Sequence, residues 1–211
     1  MENRVYLLGR ISSAAEFSHA IAGSAMYTCK LLVPRLSGTE DEVVLLFDGR
    51  FLPKMQGEIG LSGQLRGYSR LEEGRRRLKL MALVKSLTDQ PEEDNNRVEL
   101  EASLFRPPLY RQTPLGREIT DLLLRVPRAR GGDDIIPAIV WGGCARFAQG
   151  LQPGAPLRVT GRLQSRSYSK LLPSGEIQAR TAYELSINQL STAPRGREEP
   201  DAFPPSTMRA Q

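Results

Sequence analysis

Leu157-Arg158-Val159-Thr160-Gly161-Arg162-Leu163-Gln164-Ser165-Arg166 alternates apolar and polar residues with a period of two. That period marks a β-strand with one buried face, here Leu157, Val159, Gly161 and Leu163, and Arg158, Arg162 and Arg166 on the other. Residues 177–187 alternate likewise, and the loop between them, Leu172-Pro173-Ser174-Gly175-Glu176, carries the Pro and Gly of a hairpin turn. Gly161-Arg162-Leu163 also has an echo, because Gly63-Gln64-Leu65 stands 98 positions earlier.

The echo widens into a repeat. Asn3-Arg4-Val5 returns as Asn96-Arg97-Val98, Val33-Pro34-Arg35 as Val126-Pro127-Arg128, and Asp41 and Gly49 as Asp134 and Gly142, each 93 positions later. The wider offset at Gly161 means that the second copy has gained loop residues. Matches at one offset imply one structural unit present twice. The expected organisation is a first domain over 1–87, an acidic linker over 88–95, a second domain over 96–191 and a disordered tail over 192–211. The tail is rich in Pro, Arg, Glu and Ser and has no periodicity. One helix candidate per copy follows the third strand: residues 144–151, ended by Gly150 and Pro153, and residues 50–56, interrupted by Pro53. Five strands with a short helix between the third and fourth describe an OB-fold. The chain is therefore expected to be all-β, two tandem five-stranded OB-fold barrels, each with at most one short helix.

Charge follows the same division. Residues 1–87 carry 13 Lys/Arg against 9 Asp/Glu, residues 96–191 carry 13 against 8, and residues 88–95 carry four acids and no base. Both copies are thus basic, and 24 of the 29 bases are arginine, whose planar fork suits phosphate and stacks on bases. Cys29 and Cys144 stand 115 positions apart and His19 is the single histidine, so neither a disulfide framework nor a metal site is expected. No phosphate-binding lysine loop and no carboxylate pair in a recognisable context appears, which argues against an enzyme and against a cofactor. The opening Met1-Glu2-Asn3-Arg4-Val5 lacks the layout of a signal peptide and no apolar run is long enough to span a membrane. The expected location is the cytoplasm, at the nucleoid. Glu40-Asp41-Glu42 and Asp133-Asp134 read as polar ends of strands.

Ile136-Pro137-Ala138-Ile139-Val140-Trp141-Gly142, the segment 145–154, and Gly161 to Tyr168 together closely resemble the bacterial single-stranded DNA-binding protein family. Asn96-Arg97-Val98 and Arg180-Thr181-Ala182-Tyr183-Glu184 add to the likeness, which covers about residues 96–191. The first copy resembles the family only through its repeat of the second. The resemblance implies that Trp141 and Tyr168 stack on bases and that the loop bearing Arg125, Arg128 and Arg130 contacts the strand. The residues themselves point to the same surface, since single strands are held by aromatic platforms interleaved with cations. Tyr168 shares a strand face with Arg158, Arg162, Arg166 and Lys170. A core indole is the alternative for Trp141. In the first copy Arg66, Tyr68 and Arg70 share the corresponding face, but Asp48 stands where Trp141 stands, so weaker binding is expected there.

The expected partner is single-stranded DNA, in replication, recombination and repair. The tail segment Glu198-Glu199-Pro200-Asp201-Ala202-Phe203-Pro204 resembles the acidic peptide by which family members recruit replication and repair proteins, although here the chain runs on to Gln211. The alternatives are a primosomal or replication-restart OB protein, with one copy serving protein interaction, and an RNA-binding OB protein. Two OB-folds per chain, in a family that typically presents four per particle, imply a homodimer. Its surface is expected at the apolar Val5-Tyr6-Leu7-Leu8, unless that surplus is buried between the two copies.

Overall fold

The structure, a computed structural model, describes residues 2–72, 75–88, 95–129, 131–171 and 175–192. The first copy runs β1 (Asn3–Ile11), β2 (Glu16–Ile21), β3 (Ser24–Pro34), β4 (Glu40–Asp48), a 3-10 helix (Gly49–Lys54), β5 (Glu58–Glu72) and β6 (Arg75–Thr88). The second repeats it with β7 (Asn96–Leu104), β8 (Leu109–Gln112), β9 (Glu118–Pro127), β10 (Asp133–Trp141), α1 (Gly142–Gln149), β11 (Pro156–Leu171) and β12 (Ile177–Thr192). In the first copy β1 pairs with both β3 and β5, β3 with β4, β4 with β6 in parallel, and β6 with β5. Those pairings close a ring of five strands. The ring β7–β9–β10–β12–β11 closes the same way. Each barrel is an OB-fold, with one short extra strand, β2 or β8, added as a hairpin partner of β3 or β9. The expected linker and tail fall, for residues 89–94 and 193–211, outside the described residues, as do residues 172–174 of the expected hairpin turn.

Alternation carries the cores. Val5, Leu31, Leu45, Phe47, Leu61 and Leu65 fill one barrel, and Val98, Leu100, Leu124, Ile136, Leu157 and Leu185 the other, all essentially fully buried. Each such side chain contributes about 1.5–3 kcal/mol. The repeated motifs explain themselves at the barrel seams. β5 and β6 slip register between Ser62 and Gly63, and β11 and β12 between Thr160 and Gly161. A Cβ on Gly63 would lie 2.2 Å from the Leu83 carbonyl oxygen, and one on Gly161 2.3 Å from that of Ser186, so both positions exclude a side chain. Just beyond each slip an asparagine replaces a strand. The Leu65 N–H donates to Asn3 Oδ1 (2.8 Å) and Asn3 Nδ2 donates to the Leu65 carbonyl (3.0 Å). Asn96 does the same for Leu163, at 2.8 Å in both directions.

The two barrels join through β1 and β7, which pair antiparallel with Val5 opposite Val98, Asn3 opposite Leu100 and Leu7 opposite Asn96. Val5 and Val98 are the same residue of the repeat, so the join has a pseudo-two-fold axis between them. One continuous 12-stranded sheet results, ending at β2 and β8. The β1 edge that sequence offered for a homodimer is thus used inside the chain. Asp41 and Asp134, expected as polar strand ends, are fully buried instead, each against the other copy. Gly67 N–H donates to Asp134 Oδ1 (3.1 Å), and Ser165 N–H to Asp41 Oδ1 (2.8 Å).

Candidate nucleic-acid interface

The outer face of the second barrel can be read row by row from its ladders, because directly opposed residues point to one face. Arg111 stands opposite Ile119, and Ile119 opposite Trp141. Leu109, Asp121, Ile139, Ser186 and Arg162 form the next row across five strands. Further along β11, Gln164 faces Glu184, Arg166 faces Ala182 and Tyr168 faces Arg180. One surface therefore gathers Trp141, Tyr168, Arg111, Arg162, Arg166 and Arg180.

Trp141 is the last residue of β10 and the N-cap residue of α1, with extended backbone (φ −122°, ψ 151°). Gly142 at φ +56° turns the chain there, which starts the helix two residues before the expected position. The indole lies on the barrel's outside, 38% exposed, and not in the core. Tyr168 is 37% exposed, and the Arg166 guanidinium lies 5.9 Å from its ring centroid, within cation–π range. An exposed ring with a cation beside it, as at Tyr168, offers both parts of a strand-binding platform, a π-face for a base and charge for a phosphate. Burial pushes the Glu184 carboxyl above its usual range, while the positive charge of Arg166 pulls it back.

The other expected residues divide. Arg125 is exposed on β9, its guanidinium 4.9 Å from the Phe105 ring centroid and 3.6 Å from the Asp133 carboxylate. Arg158 projects outward at the far end of β11, beside β7, where it donates to Glu101 (2.8 Å). Ten residues of extended strand, roughly 33 Å, separate it from Tyr168. Arg66 and Arg128 both bond the buried Asp134, at 2.9 and 2.6 Å, and so sit at the joint between the copies, not on an open groove. Arg130 lies outside the described residues, and so do the side chains of Arg70 and Lys170. Two residues here were not singled out as contacts from sequence. Arg111 sits on β8, a strand of four residues behind Pro107-Pro108, too short for its alternation to register. Arg180 was visible in an alternating run, but only the register places it opposite Tyr168.

The first barrel differs at the matching positions. Asp48 occupies the place of Trp141 and caps the 3-10 helix, its Oδ1 accepting the Arg50 N–H at 2.9 Å. Tyr68 is half-buried and packs against Met26, Leu46 and Met81. An acid doing a helix-capping task and a ring already packed leave this face without a pair of open aromatic platforms.

Residues 95–193 match the model of the single-strand binding protein family. Wild-type single-stranded DNA binding protein from Thermus aquaticus is 22% identical, with 94% of this chain and 96% of that chain covered and a TM-score of 0.69. A deletion mutant of that protein is also 22% identical, with 98% of each chain covered and a TM-score of 0.67. At that identity the likeness is one of fold. The N-terminal domain of PriB protein from Thermoanaerobacter tencongensis shares 32% identity over 43% of this chain and 98% of that one, with a TM-score of 0.35. No curated protein matches the chain.

Proposed function

We infer, from the match of residues 95–193 to the model of the single-strand binding protein family, that the protein binds single-stranded DNA. It does so as a covering protein in replication, recombination and repair, at the nucleoid in the cytoplasm, with no catalytic step and no cofactor. Residues 96–191 are the main binding unit and residues 1–87 the supporting one. Trp141 and Tyr168 stack on bases, while Arg111, Arg162, Arg166 and Arg180 meet phosphates along the same face. Arg125 extends the path past Phe105. The observation that carries this reading is the gathering of two exposed rings and four arginines on one outer face of the second barrel.

Titration with single-stranded DNA, duplex DNA and RNA tests it, read by intrinsic fluorescence. Trp141 is the only tryptophan, so the signal has one source. Single-stranded DNA is expected to quench it and to bind more tightly than duplex. Equal affinity for duplex would overturn the reading, and preference for RNA would move it to RNA. The first barrel favours a second role, contact with another protein, because its Asp48 and Tyr68 are engaged structurally.

A further inference from the structure

We propose that Asp41 and Arg35, in the first copy, are positioning residues for the second copy's binding strand, holding Ser165 so that Arg166 and Tyr168 meet the nucleic acid. The proposal rests on the reading that β11 binds single-stranded DNA.

One edge of β11 runs out of partners along its length. Its pairing with β7 ends at Gly161, and the Asn96 side chain serves Leu163. The next backbone groups on that edge, two residues on, belong to Ser165. Asp41 takes its N–H at 2.8 Å, and Arg35 Nη2 donates to its carbonyl at 3.2 Å. The Ser165 hydroxyl accepts the Glu42 N–H at 2.8 Å, so every polar group of this residue except its hydroxyl proton is engaged by the first copy. The grip is itself held. Arg35 forks onto the fully buried Asp41, with Nε at 2.7 Å from Oδ2 and Nη2 on Oδ1. A buried carboxylate keeps its charge only with such partners, and the bidentate fork fixes its direction. Across the ladder Ser165 faces Tyr183, whose hydroxyl donates to Glu42. Both strands of the β11–β12 arm are thereby fastened to the first copy immediately before Arg166, three residues before Tyr168.

The pseudo-two-fold provides an internal control. Asp134 and Arg128 hold Gly67 of the first copy in the same manner, with the Gly67 N–H on Asp134 and Arg128 Nη2 at 3.3 Å from the Gly67 carbonyl. On that side, however, the arm carries Tyr68, packed on methionines, and the polar pair Glu42–Tyr183 is replaced by Ile135 and Leu80. Releasing Gly67 therefore costs stability without freeing a binding ring.

The test compares full-length Asp41→Asn with full-length Asp134→Asn. Both keep the side-chain shape, remove the buried charge and are expected to lower the melting temperature, Asp134→Asn at least as much because Arg66 and Arg128 both bond that carboxylate. Asp41→Asn should weaken single-stranded DNA binding about tenfold, the effect of losing a charge-assisted hydrogen bond, and speed amide exchange at Ser165. Asp134→Asn should leave affinity within about twofold, a change smaller than one hydrogen bond. Tyr168→Ala should cost less affinity in the Asp41→Asn background than in the wild type. If Asp41→Asn does not fold, Arg35→Lys, which keeps the charge and loses the fork, should show the same pattern in milder form. Equal affinity losses in the two asparagine variants, or wild-type affinity in a variant whose Ser165 amide exchanges faster, would overturn the positioning role alone. A wild-type protein that binds no single-stranded DNA would overturn the parent reading along with it.

Discussion

Trp141 and Asp48 occupy one position of a repeat and do opposite things. The tryptophan leaves the helix N-terminus without a side-chain cap and offers an indole to solvent, whereas the aspartate caps its helix and offers no ring. Trp141→Ala and Tyr168→Ala should each weaken single-stranded DNA binding by about 1–3 kcal/mol, with unchanged thermal melting; loss of the folded state in place of binding would show that the rings serve packing. Tyr68→Ala should do the reverse, lowering the melting temperature and sparing affinity. At this scale sequence was a mixed guide. Alternation placed Tyr168 and Arg166 on an outward face, and that is where they lie. It placed Arg66 outward equally well, and the family resemblance put Arg128 on a contact loop, yet both meet Asp134, and Arg66 does so across 68 residues. Alternation tells which face a side chain takes but not which distant surface covers that face.

Strands and hairpins show the same limit from another side. The long alternating runs of β11 and β12 are plain in the sequence because sixteen residues give the period many chances to show. β8 is four residues long, and its arginine went unnoticed. Gly67 reads as an ordinary strand glycine, but a Cβ there would lie 2.1 Å from the Ile135 carbonyl oxygen of the second copy. Gly67→Ala should therefore cost about 1–3 kcal/mol of stability, as overpacking does, measured by urea unfolding; a neutral result would mean that the two copies separate freely at this joint. The basic rows make a second prediction at the level of the strand. Affinity should fall with salt by about 0.7 log units per log salt for each phosphate neutralised, so Arg162→Ala and Arg166→Ala should each flatten the slope by about that amount. A slope unaltered by either change would remove β11 from the phosphate path.

On the scale of the whole molecule, the repeat was legible as two units, and burial of the apolar β1 between them was one of the two readings offered, but the strand pairing that joins them was not legible. Equal offsets reveal a duplication, while the pairing of β1 with β7 depends on which edges remain open once both barrels close. That pairing leaves the outward residues Tyr6 and Leu8 half-buried on the central sheet. A dimer would bring four OB-folds into one particle. Light scattering at micromolar concentration should give a mass near 47 kDa, twice the 23.4 kDa of the chain, and a stable species of 23.4 kDa would rule the dimer out. The pseudo-two-fold itself has a consequence for evolution and for dilution. Two barrels tethered on one polypeptide meet at an effective concentration that does not fall with the amount of protein in the cell, so the pair has no dissociation to fear. Identical subunits must also change in step, since one codon serves both. Here two codons serve one position, which is how an aspartate could come to stand in one barrel while a tryptophan stands in the other.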